Sequence, residues 1–167
     1  MTDMREILIE KVTVNIGVGS PGERLDYAKE LIEKLSGATA VMTLAKKRNP
    51  VWKLRKGLPI GVKLTLRKKI AVAFLEKSLI AKRRVIKPSC FDNEGNFSFG
   101  VPEYIDFPGA KYDPKIGMFG FDVCVTLTRR GERVSQRRVK KTKIGKKHKI
   151  TKDEAIEFVK KFNVKLE

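Results

Sequence analysis

Acidic residues are missing from two long stretches of this chain. No Asp or Glu occurs in residues 34–75 or 133–152, although the 167 positions include 19 acidic residues. Lysine and arginine are concentrated there instead: residues 45–87 hold 15 of them against one acid, and residues 129–150 hold 11 against one acid. Self-repulsion of this size does not help folding, so the net charge of +18 favours a polyanionic partner.

Histidine and cysteine are also scarce. The one histidine, His148, lies in the second basic block, and the two cysteines, Cys90 and Cys124, are far apart. These residues form neither a catalytic triad nor a metal cluster nor a disulfide framework. No run approaches the roughly 18 apolar residues of a membrane span, and neither basic block is an amphipathic helix with apolar anchors. We therefore expect a cytoplasmic protein that is not an enzyme, with no cofactor, no metal and no membrane partner.

Apolar residues are abundant enough for one core. With 41% hydrophobic residues, a single domain spanning residues 1–167 is predicted. Aliphatic and polar residues alternate in residues 7–16, 60–67 and 121–128, which predicts three strands. Helical spacing predicts helices in residues 25–35, 69–79 and 151–163, the last beginning with a capping box from Thr151 to Glu154.

The predicted helices can cover only the aliphatic face of a sheet built from these strands. In the second helix, Ile70, Ala73, Phe74 and Leu79 are expected to face inward. The fold class that follows is α+β: two layers, a mostly antiparallel sheet, helices on one face and an open polar face. Such a face can bind RNA backbone and sugar hydroxyls, or it can simply be solvated. The basic blocks favour binding.

A glycine motif follows the first strand. Gly17, Gly19 and Gly22 match the G-x-G-x-x-G pattern of dinucleotide-binding proteins, but the acidic residue expected about 20 positions later is absent. Pro21 also interrupts the loop. A glycine turn, which either lets the backbone approach a partner or closes a strand–helix corner, is the preferred interpretation.

The first basic block opens with a loop, residues 45–59, that holds the only tryptophan, Trp52. Its cations can neutralise phosphates, and the indole can stack on a base or ribose. Alternatively, Trp52 anchors the loop to the core. The predicted contact residues of this loop are Lys46, Lys47, Arg48, Asn49, Trp52, Lys53, Arg55 and Lys56.

The second basic block, residues 129–150, has few bulky apolar residues and is interpreted as an arm that threads into RNA. Its predicted contact residues are Arg129, Arg130, Arg133, Arg137, Arg138, Lys140 and Lys141. An RNA-modifying enzyme and a DNA-compacting protein are the alternatives that charge alone leaves open.

Four segments carry a family resemblance: IEKVTVNIGVG at 9–19, LPIGVKLTLR at 58–67, FDNEGNFSFG at 91–100 and GMFGFDVCVT at 117–126. They resemble the family of large-subunit ribosomal proteins numbered five in the bacterial series, and residues 129–151 resemble its archaeal and eukaryotic versions. The resemblance implies a ribosomal location and binding to 5S rRNA. It also implies anchoring of 5S to 23S rRNA among the ribosomal proteins of the central protuberance, and contact of the 45–59 loop with P-site tRNA.

Carried over residue by residue, the family's 5S-binding positions match Asn15, Thr65 and Asp122, which alternation already places on the polar face. Ala38 stands where bacterial relatives have glutamine, so that contact to 5S rRNA is not expected here. The complete predicted rRNA-binding set is Thr13, Asn15, Lys63, Thr65, Arg67, Asp122 and Thr126.

Overall fold

The computed structural model describes residues 3–166. In chain order, the strands and helices are β1 (Ile7–Gly17), α1 (Glu23–Ser36), β2 (Val41–Leu44), β3 (Pro59–Leu66), α2 (Lys68–Ala81), β4 (Val85–Ile86), β5 (Phe97–Val101), β6 (Phe121–Arg129), α3 (Arg133–Gln136), α4 (Lys152–Lys160) and β7 (Lys165–Leu166). Short 3-10 turns occupy Pro88–Cys90, Tyr104–Asp106 and Lys146–His148. Five strands form one antiparallel sheet in the order β2-β3-β1-β6-β5, and β4 and β7 form a separate two-stranded parallel ladder.

The three predicted strands are confirmed as β1, β3 and β6, the central strands of the sheet. Alternate residues of β1, Val12, Val14 and Ile16, are at most 2% exposed. Successive side chains of a strand point to opposite faces, so the polar residues between them lie on the other face. Alternation therefore correctly separates a core face from a polar face.

The predicted helices are confirmed as α1, α2 and α4, and the buried sides of α1 and α2 belong to the same core as the aliphatic sheet face. In α2, Phe74 and Leu79 are buried as expected. The inward prediction for Ile70 and Ala73 is wrong: Ile70 is 56% exposed and Ala73 is exposed. The buried residues of α2 are Ala71, Phe74, Leu75, Ser78, Leu79 and Ala81. The two-layer α+β fold is confirmed. Among residues 3–166, no helix combines the length and apolarity that crossing a membrane requires.

The glycine motif forms the corner between β1 and α1. The backbone N–H groups of Val18 and Gly19 both donate to the carbonyl oxygen of Ile60, at N–O distances of 3.0 and 2.8 Å. Gly22 is the N-cap of α1 with a φ of 135°, a conformation that L side chains rarely adopt. These amides are committed to the neighbouring strand, so the motif acts as a strand–helix turn.

The C-terminal helix is shorter than predicted, and its capping box is confirmed. Thr151 accepts a hydrogen bond from the Glu154 backbone, and the Glu154 side chain accepts one from the Thr151 backbone. The helix ends at Lys160 rather than 163, because the chain turns through Asn163, whose φ is 56°. Glu154 Oε1 also lies 2.6 Å from the Arg129 guanidinium at the end of β6.

This arrangement predicts a pH-dependent contribution to stability. The hydrogen bond from the Thr151 backbone, followed by the hydrogen bond and charge of Arg129, holds the pKa of Glu154 below its ordinary 4.5. A lowered folded-state pKa stabilises the protein above pH 4.5, and this stabilisation is lost as the pH falls through the folded value. The glutamine of Glu154→Gln keeps an acceptor but loses the charge.

We expect Glu154→Gln to lower the free energy of unfolding at pH 7 by about 1 kcal/mol, because the 40% exposed side chain is partly screened. The difference from wild type should shrink as the pH falls below 4.5. Urea unfolding at a series of pH values measures it. A difference that stays constant down to pH 3 would mean that the carboxylate charge contributes nothing.

Candidate nucleic-acid interface

Neighbouring strands bring the predicted rRNA-binding residues together on the polar face. One cross-strand row runs Lys63, Asn15, Asp122, and the next runs Thr65, Thr13, Cys124. A third pair, Lys11 and Thr126, continues toward the other end of the sheet. Lys63, Thr65 and Asp122 are exposed, and Thr13, Asn15 and Thr126 are half-buried. Donors and acceptors thus cover the three central strands in register.

Arg67 lies at the margin of this face, directly after β3. Its guanidinium is 3.4 Å from the Glu10 carboxylate, and its side chain is 56% exposed. An ion pair at that distance and exposure is weak and is screened by water. Arg67 therefore already has an acidic partner, although its exposed part can still reach a phosphate.

Asp122 carries the only negative charge in the central rows. Its carboxylate oxygen is 3.3 Å from the place where a Cβ on Gly100 would lie, so glycine in β5 leaves the carboxylate uncovered. Within residues 3–166, Asp122 takes part in no ion pair. An exposed carboxylate with this geometry can accept hydrogen bonds from sugar hydroxyls or base amines, while it repels phosphate.

The face also contains three residues that the predicted set omits: Lys11, Ser98 and Cys124. Ser98 of β5 pairs with Cys124 and extends the second row. Burial raises the pKa of the Cys124 thiol above its ordinary value, and the nearby charge of Asp122 raises it further. At neutral pH the thiol is therefore mostly protonated, and it forms a small polar surface. The alternation of residues 97–101, with Phe97 and Phe99 buried, is the signal that could have placed Ser98 on this face.

The 45–59 loop is an ordered extension of the β2–β3 hairpin. Ala45 donates to the carbonyl of Leu58 at 2.8 Å, and Gly57 donates to that of Ala45 at 2.9 Å. Further out, Asn49 and Leu54 exchange two backbone hydrogen bonds of 3.0 and 2.9 Å. This ladder carries the chain away from the sheet and closes it in a turn at residues 50–53.

Trp52 lies at the tip of this hairpin and is 71% exposed, next to Val51 at 84%. The alternative in which Trp52 anchors the loop to the core is therefore wrong. Asn49 is half-buried, and its side chain accepts a hydrogen bond from Val51 N–H at 3.1 Å, so it shapes the turn. The exposed cations that flank the tip are Lys46, Lys47, Arg48, Lys53, Arg55 and Lys56. An exposed indole among cations can stack on a base while phosphates bind beside it.

The second basic block is a closed loop rather than an extended arm. His148 Nε2 lies 2.9 Å from the carbonyl oxygen of Arg130, which brings the two ends of the block together. Lys149 pairs with Glu94 at 2.6 Å, and Ile150 is buried. Within the loop, Thr142 donates to the carbonyl of Val134 at 3.2 Å. We call residues 130–149 the basic loop from here on.

The two first residues of the predicted arm differ from the others. Arg129 is the last residue of β6, is 8% exposed and pairs with Glu154, while Arg130 pairs with Glu6 at 3.1 Å. A buried guanidinium needs a nearby carboxylate, so Arg129 holds α4 against the sheet. The remaining predicted residues Arg133, Arg137, Arg138, Lys140 and Lys141 are exposed, as are Lys143, Lys146 and Lys147, which the predicted set omitted.

The three surfaces have a defined arrangement. The hairpin leaves the sheet where Gly61 of β3 pairs with Gly17 of β1. The basic loop leaves it where Arg129 pairs with Ile7. These are opposite ends of the sheet, with the polar face between them. Among residues 3–166, no group of three or more potential metal ligands occurs.

Comparison with known proteins gives two family-model matches. A model of the C-terminal part of the ribosomal L5 family matches residues 59–158, and one described as ribosomal protein L5 matches residues 3–55. The sheet takes strands from both matched regions, since β1 and β2 lie in the first and β3, β5 and β6 in the second. The prediction of a single domain stays a prediction.

Three similar proteins share the name large ribosomal subunit protein uL5. The Methanococcus maripaludis protein is 54% identical over 159 residues, covering 93% of this chain and 88% of the relative. The Sulfurisphaera tokodaii protein is 53% identical over 163 residues, covering 96% and 92%. The Sulfolobus acidocaldarius protein is 51% identical over 162 residues, covering 96% and 91%.

Proposed function

Because this chain belongs to the uL5 family of large ribosomal subunit proteins, we propose that its polar sheet face binds 5S rRNA. As a family member it is a structural component of the large subunit of cytoplasmic ribosomes and not an enzyme. Its predicted relation to the archaeal members agrees with relatives from Methanococcus and Sulfolobus.

The observation that carries the 5S proposal is the register of the polar face. Thr13, Asn15, Thr65 and Asp122 occupy adjacent positions on three paired strands, and the core on the opposite face holds them in place. Fixed donors and acceptors suit the sugar hydroxyls and exposed base edges of folded RNA. Lys63 and Arg67 add phosphate contacts at the edge of this set.

The hairpin and the basic loop take different partners in this proposal. The exposed Trp52 and its flanking cations contact P-site tRNA, at one end of the sheet. The basic loop contacts 23S rRNA from the opposite end, so that the protein anchors 5S to 23S rRNA among neighbouring proteins of the central protuberance. Both segments present exposed cations, which supply the sequence-independent part of RNA affinity.

Competition between 5S rRNA and duplex DNA of equal length tests the central proposal. At physiological salt, the full chain should prefer 5S rRNA, because the polar face recognises RNA hydroxyls and loop bases. Equal affinity for the two would overturn the proposal and favour a general polyanion binder. Measuring both affinities at several salt concentrations separates specific recognition from charge.

The basic loop should govern the salt dependence of binding to 23S rRNA fragments. Replacing Arg138, Lys140 and Lys141 with glutamine should reduce the slope of log affinity against log salt by about 0.7–0.9 for each phosphate that is no longer neutralised. Arg137 is left intact because its Nε donates to the carbonyl of Lys140 at 2.7 Å.

Replacing three exposed lysines of the helical layer, Lys69, Lys77 and Lys160 on α2 and α4, with glutamine is the matched control and should leave the slope nearly unchanged. Filter binding from low to high salt gives both slopes. An unchanged slope in the loop variant would mean that these cations touch no phosphate.

A further inference from the structure

A cleft opens along the free edge of the sheet, outside the hairpin and the basic loop. It lies between the outer edge of β5 and the segment that contains β4; within residues 3–166, that edge is paired only by an isolated bridge from Phe97 to Phe91. Its volume of about 420 Å³ falls within the range of about 300–1,000 Å³ that is typical of small-molecule sites. We call this the edge cleft.

The walls of the edge cleft are apolar and its rim is cationic. Val85, Ile86, Phe99 and Pro102 form much of the lining. Lys82, Arg83 and Lys87 supply positive charge at the rim, and Asp106 supplies one carboxylate. Within residues 3–166, none of the three cations forms an ion pair.

One of these cations, Arg83, lies on an unusual backbone turn. Arg83 and Arg84 follow α2 with φ values of 57° and 56°, although residues with a Cβ seldom adopt left-handed backbone. Their N–H groups donate to the carbonyls of Ile80 and Leu79, each at 2.8 Å, and the Arg84 carbonyl accepts from Lys165 of β7. The turn is therefore tied to both α2 and the β4–β7 ladder.

The edge cleft is continuous with the polar face. Lys82, Gly100 and Pro102 also line a shallow groove that contains Asn15 and Asp122. Gly17, Gly100 and Gly120 contribute no side chain to that groove. The groove and the edge cleft therefore share a border at Lys82, Gly100 and Pro102, across which an RNA strand lying over Asn15 and Asp122 can continue.

We propose that the edge cleft binds one unstacked nucleotide of the RNA that lies on the polar face, an inference that rests on the proposed function. The base packs against the apolar wall, and its phosphate lies at Lys82, Arg83 and Lys87. Asp106 accepts a hydrogen bond from a base N–H or amine, which favours bases that present donors there. Proteins that recognise RNA sequence commonly bind such splayed bases of loops and bulges.

The two cysteines test this proposal separately from the proposed function. Cys90 lines the edge cleft, and Cys124 lies on the polar face between Thr13 and Ser98. Alkylation of the full chain by N-ethylmaleimide, with and without saturating 5S rRNA, is followed at each thiol by mass spectrometry. Both thiols should lose reactivity when 5S rRNA is bound. A cysteine introduced by Glu76→Cys on the exposed side of α2 reports any general slowing.

Lys82→Gln combined with Lys87→Gln is the discriminating variant. In the complex with 5S rRNA, this variant should restore alkylation of Cys90 and leave Cys124 protected. Its slope of log affinity against log salt should be smaller by about 0.7–0.9 for each phosphate that these lysines no longer neutralise. If 5S rRNA protects Cys124 but never Cys90, the edge cleft holds no nucleotide and the proposed function stands. If bound 5S rRNA protects neither thiol, the proposed function fails and the edge-cleft proposal fails with it.

Discussion

Deletion of residues 48–56 should impair the contribution of this protein to P-site tRNA binding and leave its affinity for 5S rRNA largely intact. The deletion removes the exposed Trp52 and four of the cations of the hairpin. Loss of one stacked base costs about 1–3 kcal/mol, and the phosphates that are no longer neutralised add to that cost. We expect the affinity of the large subunit for P-site tRNA to fall by at least about tenfold.

The structure indicates that this deletion can fold. Ala45 and Leu58 already pair beyond the deleted segment, and only Lys46, Lys47 and Gly57 would remain between them. Gly57 has a φ of 87°, so it already has the left-handed backbone that the last position of a three-residue hairpin loop requires. The junction therefore needs no new backbone strain.

The affinity for tRNA is measured on large subunits reconstituted with the deletion variant. The affinity for 5S rRNA is measured by gel shift with the isolated RNA. Trp52→Ala is the finer variant: it removes the indole and keeps every cation, so it should weaken tRNA binding without changing its salt slope. Loss of 5S binding by the folded deletion variant would contradict the division of roles between hairpin and sheet.

Asp122→Ala should weaken 5S rRNA binding by about 1–3 kcal/mol, or about 5- to 150-fold. Donors of the RNA that pair with the carboxylate would remain desolvated and unpaired. Removing a negative charge from a protein of net charge +18 should otherwise strengthen its binding to RNA. A loss of affinity therefore identifies direct recognition, since the charge effect has the opposite sign.

Two controls accompany this variant. Asp26→Ala removes an exposed acid from α1, on the layer opposite the polar face, and should leave 5S affinity unchanged or slightly higher. Asp122→Asn keeps one acceptor oxygen and should lose less affinity than alanine. Titration of labelled 5S rRNA measures all three. Equal affinity of wild type and Asp122→Ala would exclude Asp122 from the binding surface.

The central sheet can be predicted because its signal is local. Aliphatic residues alternate with polar ones in β1, β3 and β6, and a strand converts that period of two into two distinct faces. Alternation alone therefore places Asn15, Thr65 and Asp122 on one face. Their adjacency, with Asn15 opposite both Lys63 and Asp122, depends on register and comes from the structure.

The basic residues show the limit of such prediction. Arg129 pairs with Glu154, 25 residues away, and Arg130 pairs with Glu6, 124 residues away. No local pattern distinguishes these two arginines from Arg133 or Arg138 in the same run. Their burial and pairing depend on where α4 and the start of β1 pack, which is a property of the whole fold. For the same reason, the sequence predicts an extended arm where the structure has a closed basic loop.

The two basic blocks, residues 45–87 and 129–150, likewise show what sequence can predict and what it cannot. The sequence by itself determined the kind of partner, because net charge does not depend on conformation, and it determined the polar face, because strand alternation is set by backbone geometry. Only the tertiary structure decided which cations lack an acidic partner and that Trp52 is exposed at a hairpin tip. It also decided that Lys82 and Lys87 border the edge cleft, next to the groove that contains Asp122. These features arise from contacts between distant segments, and packing of the complete core selects those contacts.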